Sequence, residues 1–192
     1  MLPNLAIVAV FLIIIVNVVL IVFNQWRWIA IAWAFQVFAI FWLTTLSWSV
    51  SQSAVKLVGG WIAIAIVSAA RPESILERDT DAVAAGFGFR FLCVGMTWLL
   101  AFSISPSIQN IVPARIEIIW GGILLIAGGM LQIGLSQNIV RIILGLLTFL
   151  GGFEALYASV ESSVLVSGLL AIINIGLAWF IIYFLAPPGE GP

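Results

Sequence analysis

The sequence predicts an all-α, polytopic membrane protein with about seven transmembrane helices. Of its 192 residues, 64% are hydrophobic and only 8% are charged, and the mean hydropathy is +1.26. A soluble domain carries about 25% charged residues, so this chain lacks the polar surface that a water-soluble fold needs. Apolar runs of about 20 residues, the length that crosses a bilayer as a helix, recur along it.

The apolar runs define the predicted spans in chain order. They cover residues 5–23, 26–48, 54–70, 88–104, 116–135, 139–158 and 163–186. The first run has no positive charge before it and no small-residue cleavage pattern after it. It is also longer than the apolar core of a signal peptide, so we expect it to be a retained helix.

Three regions follow from these spans. They are an N-terminal four-helix membrane region at 1–110 with a cytoplasmic loop at 71–89, a three-helix unit at 111–186, and a disordered tail at 187–192. The loop is the most polar segment of the chain. The tail is rich in Pro and Gly, which cannot continue a helix.

Lysine and arginine placement predicts the orientation. With seven spans, five arginines fall on one side of the membrane, namely Arg27, Arg71, Arg78, Arg90 and Arg141. Arg115 lies on the opposite side, and Lys56 lies within two turns of that side. Because cytoplasmic loops carry an excess of Lys and Arg, the N-terminus is predicted to be outside and the C-terminus cytoplasmic. The expected location is the plasma (inner) membrane, as a multi-pass protein.

Composition and motifs argue against several functional classes. With net charge −1 and no basic block, the chain has no electrostatic basis for binding nucleic acid. It has no His and one cysteine, Cys93, so a disulfide framework, a zinc site and bis-His haem ligation lack their ligands. No phosphate-binding loop, nucleophile elbow or paired-carboxylate site occurs. We therefore expect no enzyme activity, no cofactor and no metal.

Small residues predict how the last three helices pack. In membranes, helices associate through close packing of small residues and a few polar contacts. Such residues recur on one face of each helix: Gly121 and Gly129 in the fifth, Gly145, Thr148, Gly152, Ala155 and Ser159 in the sixth, and Ser167, Ala171, Asn174 and Ala178 in the seventh. We expect helices 5 to 7 to form a tightly packed unit.

Glu154 and Lys56 are the main candidates for function, because an ionisable side chain in hydrocarbon is costly. Glu154 falls in the outer third of helix 6, facing away from the glycine stripe. It is interpreted either as a proton-exchanging or cation-pairing carboxylate, or as a carboxylate solvated at the interface or paired with a partner. Lys56 either extends its stem to the interface or lies on a polar axis of the bundle. Since both fall in the outer half, an ion pair between them is a further prediction.

The remaining polar candidates lie near the middle of their helices. Asn174 in helix 7 and Gln36 in helix 2 are interpreted as interhelical hydrogen-bonding residues rather than ligands, though both stay candidates for an ion path. Asn17 and Gln132 receive the same interpretation. Glu161 falls in the outer turn after helix 6, where we expect it to be solvated.

Three segments carry a resemblance to known membrane subunits. Residues 138–147 and 171–178 resemble the second and third helices of the small K-type subunit of respiratory complex I, and are similar to the C-type subunit of Mrp antiporters. Residues 53–71, with Lys56 and a terminal Ala-Ala-Arg, resemble a helix of the E-type subunit of group-4 membrane hydrogenases. The resemblance implies a subunit of an energy-converting or ion-translocating complex.

The chain departs from these families at their acidic positions. Leu147 occupies the K-type glutamate position, the E-type acidic position falls near Leu150, and Asn174 stands where the third helix carries an acid. Glu154 remains, displaced outward on the same face. These departures favour a structural role over a conducting one.

The leading functional hypothesis is a non-catalytic membrane subunit that packs against larger membrane subunits and contributes Glu154 to an ion path. An autonomous small carrier or channel is the first alternative, which would need polar groups spread through the midplane. A pigment- or quinone-contacting subunit is the second, based on nine Trp and thirteen Phe. Its weakness is that no His is present to ligate a chlorin or haem.

Overall fold

The computed structural model describes residues 3–23, 25–69, 86–161 and 163–185, and within these ranges it describes side chains from residue 6 to residue 184. Seven α-helices make up its regular structure: α1 (Pro3–Val22), α2 (Trp26–Thr44), α3 (Val50–Ala69), α4 (Phe87–Gln109), α5 (Ile116–Leu135), α6 (Ile139–Val160) and α7 (Val164–Leu185). Among the described residues, six helices, α2 to α7, are long and apolar enough to cross a membrane, and α1 is apolar over Ala6–Val22. The chain therefore has the helices of a multi-pass membrane protein.

The predicted helix positions agree with the structure within a few residues, except in two places. The helix predicted to reach residue 48 ends at Thr44, and the next helix begins at Val50 instead of residue 54. The second difference arises because Ser49 caps α3: its Oγ accepts from the backbone N–H of Gln52 at 3.4 Å and donates to Gln52 Oε1 at 3.2 Å. The Ser49 side chain thus caps the backbone N–H of Gln52, as in the first half of a capping box, a sequence signal that hydropathy alone overlooks.

The predicted end of the fourth helix also differs from the structure. α4 continues beyond the predicted end at residue 104, through Pro106, to Gln109. Most of the predicted loop at 71–89 and the predicted tail at 187–192 lie outside the described residues.

The helices form two layers of three, with α4 at one edge. α1, α2 and α3 lie side by side in one layer, and α5, α6 and α7 lie side by side in the other. Across the layers, α1 faces α5, α2 faces α6 and α3 faces α7, while α4 packs against α5 and α1. Facing helices run in the same direction: Ile13 of α1 lies against Gly121 of α5, and one turn further Asn17 Nδ2 donates to the carbonyl oxygen of Leu124 at 3.3 Å.

The two ends of the bundle are identified by contacts between connections. At one end, here called the Arg141 end, Arg141 Nη2 donates to the carbonyl oxygen of Phe23 at 2.7 Å, which ties the start of α6 to the end of α1. At the opposite end, here called the Glu161 end, the indole Nε1 of Trp48 donates to the carbonyl oxygen of Glu161 at 2.9 Å. This second bond ties the α2–α3 connection to the α6–α7 connection.

Glycines join α5 and α6 in a close antiparallel seam. Gly122 faces Gly152, and Gly129 faces Gly145, so the two backbones approach with no side chain between them. A Cβ added at Gly129 would lie 2.5 Å from the carbonyl oxygen of Gly145, and one at Gly152 would lie 2.6 Å from that of Gly122. Small residues permit this approach. On α6 the seam uses the predicted Gly145 and Gly152, but on α5 it uses Gly122 with Gly129, because the predicted Gly121 turns toward Leu43 of α2 and Ile13 of α1.

The position of α7 corrects the expectation of one tight unit of helices 5 to 7. α7 packs mainly along α3 and to a lesser extent against α6. Its predicted small-residue face is real, since Ser167 and Ala178 are buried. That face lies between α3 and α6: Ala178 packs in a cluster with Ala63 and Val67 of α3, and Asn174 bonds to Glu154 of α6. A stripe of small residues determines which face of a helix is buried, and the partner is set by the rest of the bundle.

Candidate functional site

Lys56 and Glu154 form an ion pair inside the bundle. Lys56 lies six residues after the start of α3 at Val50, and Glu154 lies six residues before the end of α6 at Val160. With a helical rise of 1.5 Å per residue, both lie about 9 Å below the helix ends at the Glu161 end. The ammonium of Lys56 contacts Glu154 Oε1, and the two residues are 6% and 2% exposed.

A third helix contributes an amide to the same carboxylate. Asn174, in the middle of α7, donates from Nδ2 to Glu154 Oε1 at 3.0 Å. The carboxylate thus receives one charged and one neutral donor from two different helices. Hydrogen bonds to an ionised partner are stronger than those between neutral groups, so Glu154 joins α3, α6 and α7 at one level.

A second polar contact lies nearer the middle of the bundle. Thr148 Oγ1, on α6, lies 3.3 Å from Gln36 Oε1 on α2, to which it donates, and 2.9 Å from the carbonyl oxygen of Leu144 in its own helix. Gln36 Nε2 is buried without a hydrogen-bond partner among the described residues. Buried polar atoms are nearly always bonded to protein or to ordered water, so this amide marks a place where water would be stabilised.

Gln36, Lys56, Glu154 and Asn174 line one cavity, which lies among four helices. α2, α3, α7 and α6 form a ring in which each helix packs against the next. The cavity has a volume of about 40 Å³, and a single water needs about 10–15 Å³ of such space. Its polar lining is Gln36, Lys56, Glu154 and Asn174, and its apolar lining includes Trp33, Ile40 and Leu147. The cavity therefore has both the room and the polar partners to hold water beside the ion pair.

Glycines on the ring keep the cavity open. A Cβ at Gly60 of α3 would collide with the side chain of Val37 on α2, and one at Gly151 of α6 would lie 2.6 Å from Ile40 Cδ1. Both glycines line the cavity. They allow α2 to approach its neighbours while leaving space at the level of the ion pair.

The structure decides between the interpretations of the two charged residues. Lys56 does not extend to the interface, because its ammonium is held at Glu154 inside the bundle. Glu154 is not solvated at the interface, because its side chain is buried. The predicted ion pair between them is confirmed. Glu161, in contrast, is exposed as expected.

The interpretation of the buried amides is confirmed for three residues. Asn17, Gln36 and Asn174 each make a hydrogen bond between helices. Gln132 is buried, but its Nε2 has no hydrogen-bond partner within the described residues, so the bond expected of this amide is not found. The role of the four candidate ion-path residues stays a prediction.

Three residues of this region escaped sequence reasoning as members of the site. Thr148 was expected as a packing residue, yet its hydroxyl bonds to Gln36. Ser53 is fully buried one turn from Lys56, and its Oγ has no hydrogen-bond partner among the described residues. Trp48 is buried and bonds to the connection that follows α6. Helical spacing was the available signal for Ser53, since residues three apart share a face.

Known proteins give no further guidance. No family model matches the chain, and no curated protein or solved structure matches it. Within the ranges that the structure describes, no group of three or more His, Cys, Asp or Glu side chains lies together as a metal site would require.

Proposed function

We propose that this chain is a non-catalytic integral membrane subunit of a multi-subunit, ion-translocating complex, and that its Lys56–Glu154 pair carries protons over part of the path. The observation that carries the proposal is this ion pair, buried beside a cavity large enough for water. A carboxylate can accept a proton from a hydronium ion, which leaves as water, and the ammonium can donate a proton to the carboxylate or to a neighbouring water. Side by side, the two groups can pass a proton between helices.

A purely structural role explains the ion pair less well. Removing two charges from water is so costly that replacing a buried pair by apolar residues is often neutral or stabilising. Ionisable residues inside a membrane usually mark ion pathways or proton relays. Asn174 and Gln36, which line the same cavity, extend the polar groups toward the middle of the bundle.

Two features support a subunit over an autonomous channel. The buried side chains of the ring between the cavity and the Arg141 end are all apolar among the described residues, so this chain offers half of a polar path. In addition, α4 presents a broad apolar face, with Phe87, Phe89, Phe91, Leu92, Leu99 and Leu100 exposed. Larger membrane subunits and lipid are the partners such a surface fits, and the resemblance of residues 53–71, 138–147 and 171–178 to complex subunits points the same way.

The proposal includes seven spans with the Arg141 end in the cytoplasm. α1 runs parallel to α5, as a first span in an alternating series of seven must. Arg27, Arg90 and Arg141 lie toward the Arg141 end and Arg115 toward the other. Because Lys56 is paired with Glu154 inside the bundle, it does not count among the charges of the outer loops. The excess of Lys and Arg on the Arg141 side is then larger, which favours an N-terminus outside. The plasma (inner) membrane is the proposed location.

The test combines purification with proton transport. When the tagged chain is purified in mild detergent, a fixed set of larger membrane proteins is expected to co-purify with it. In vesicles containing that complex, the variant Lys56→Met/Glu154→Gln is expected to assemble normally and to lower proton translocation at least tenfold. Glu161→Gln is the matched control, since Glu161 directly follows the same helix, which ends at Val160, and is exposed. It is expected to behave like the unchanged complex.

Two results would contradict the proposal. If the purified chain alone moves protons in liposomes and loses this activity with Glu154→Gln, it is an autonomous channel or carrier. If the complex with both charges removed translocates protons at the normal rate, the pair is structural.

A further inference from the structure

We infer that the Lys56–Glu154 cavity exchanges protons with one side of the membrane only, through a route at the Glu161 end that passes Ser53 and is closed by Trp48. The inference rests on the proposed function, since it names the side from which the same pair is reached. A hydronium ion that arrives by this route gives its proton to the Glu154 carboxylate and leaves as water.

The cavity is closed toward the Arg141 end by a packed apolar layer. The layer belongs to one hydrophobic cluster and includes Trp26, Ile29, Ala32 and Trp33 of α2, Ala63 and Val67 of α3, Val140, Ile143, Leu144 and Leu147 of α6, and Ala178 and Ile181 of α7. Each of the four ring helices contributes to it. A packed apolar layer offers neither space nor hydrogen-bond partners for water. Two of its members, Ile29 and Leu144, also border a smaller cavity of about 10 Å³ that Arg90 and Gln132 line, so the layer is what separates the Lys56–Glu154 cavity from the Arg141 end.

Toward the Glu161 end, the ring helices carry small and hydroxyl-bearing residues instead. On α3, Ser53 lies three residues from Lys56 on the same face. On α6, Ala158 lies four residues beyond Glu154. On α7, Ser167 lies seven residues, two turns, before Asn174. Residues at these spacings share a helix face, and Ser53, Ala158 and Ser167 are all buried. The polar groups of the site thus continue, on α3 and α6, into small buried side chains, here called the column; on α7 the buried Leu170 lies between Asn174 and Ser167.

Ser53 marks the position where water would bind in this column. Its Oγ is fully buried, and it has no hydrogen-bond partner among the described residues. A buried hydroxyl without a protein partner is stabilised by an ordered water. Such a water would lie one turn from the Lys56 ammonium, on the side away from the apolar layer.

Trp48 closes the mouth of the column. Glu161 directly follows the end of α6 at Val160, seven residues beyond Glu154, which places it about 10 Å further out. The Trp48 indole donates to the Glu161 carbonyl oxygen at 2.9 Å and is 4% exposed. The Trp48 indole therefore joins the α2–α3 connection to the end of α6, on the Glu161 side of the ion pair. Breaking one hydrogen bond and turning one side chain would open the column.

Cysteine accessibility tests the route directly. In the intact complex, with Cys93 changed to Ala, the variant Ser53→Cys is treated with a charged, membrane-impermeant thiol reagent from each side. Modification is expected from the Glu161 side only, and the added change Trp48→Ala is expected to speed it at least tenfold. Val67→Cys, on the same helix but in the apolar layer and outside the cavity lining, is expected to stay unmodified from both sides.

Two further cysteines calibrate the sides. Ser163→Cys in the α6–α7 connection reports the Glu161 end, and Ser136→Cys in the α5–α6 connection reports the Arg141 end. If Ser53→Cys disrupts assembly, Ala158→Cys replaces it as the probe of the same column. Modification from the Arg141 side, or a rate that Trp48→Ala leaves unchanged, would overturn the inference.

The labelling result is independent of proton transport. One-sided labelling that depends on Trp48, combined with normal translocation after both charges are removed, would keep the route and disprove the proposed function. Loss of translocation without one-sided labelling would keep the proposed function and disprove the route.

Discussion

The α5–α6 seam and the four-helix ring use glycine in opposite ways. In the seam, Gly122, Gly129, Gly145 and Gly152 bring two backbones together until no space remains. In the ring, Gly60 and Gly151 let α2 approach its neighbours, yet a cavity of about 40 Å³ persists between the helices. The same residue type produces a dry contact in one region and a polar cavity in the other.

The difference lies in which side chains surround the glycines. The seam is flanked by aliphatic residues that pack around the backbone contact. In the ring, Lys56, Glu154 and Asn174 reach inward from three helices and bond to one another beside the cavity. The seam explains how the bundle is stabilised, and the ring explains what it can do.

Removing one charge of the ion pair has the largest expected effect on this contrast. Glu154→Gln or Lys56→Met alone leaves the other charge buried without its partner, which costs about 3–5 kcal/mol of unfolding free energy. The double variant Lys56→Met/Glu154→Gln is expected to recover most of that loss. Reversible unfolding in mixed detergent micelles, followed by tryptophan fluorescence, measures all three variants.

The exchanged pair Lys56→Glu/Glu154→Lys sharpens the same test. It keeps both charges in contact and is expected to assemble better than either single change. Additive losses in the single and double variants would mean that the two residues do not act as a pair. The ring, like the seam, would then be stabilised by contacts that act independently.

The sequence predicts the bundle better than it predicts the ring. Spans and small-residue faces are local properties, so helix positions and the α5–α6 contact follow from hydropathy and spacing. The Lys56–Glu154 pair was also within reach, because alternating spans bring both residues to the same level. The burial of Lys56 cannot be predicted from the sequence, since a lysine near a helix end can extend outward unless a partner on another helix holds it.

The partner of α7 lay beyond sequence reasoning for a similar reason. Its small residues identify the buried face, but α3 and α6 both offer surfaces that fit. Helical spacing places Ser53 on the face of Lys56, whereas the place of Trp48 depends on how the α2–α3 and α6–α7 connections meet at the Glu161 end.

Widening the seam is expected to have the next largest effect. Gly129→Ala places a methyl group against backbone atoms of Gly145 and Phe149, which cannot move aside without separating the helices, so a loss of about 1–3 kcal/mol is expected from overpacking. Gly134→Ala, in the same helix, meets nothing within 4 Å and is the matched control. The same micelle unfolding assay compares them, and equal stabilities would show that the seam tolerates a gap.

The smallest expected change distinguishes the two regions most finely. Gly60→Ala on the ring meets the side chain of Val37, which borders the cavity and has open space on one side. We expect a loss of about 1 kcal/mol, at the low end for overpacking, while the neighbouring control Gly59→Ala, with nothing within 4 Å, stays unchanged. Because the added methyl group also occupies part of the cavity, Gly60→Ala is expected to slow proton translocation in the intact complex while Gly129→Ala, once assembled, does not. If both glycine variants slow translocation equally, the cavity is not the part of the bundle through which protons move, and the functional difference between seam and ring would disappear.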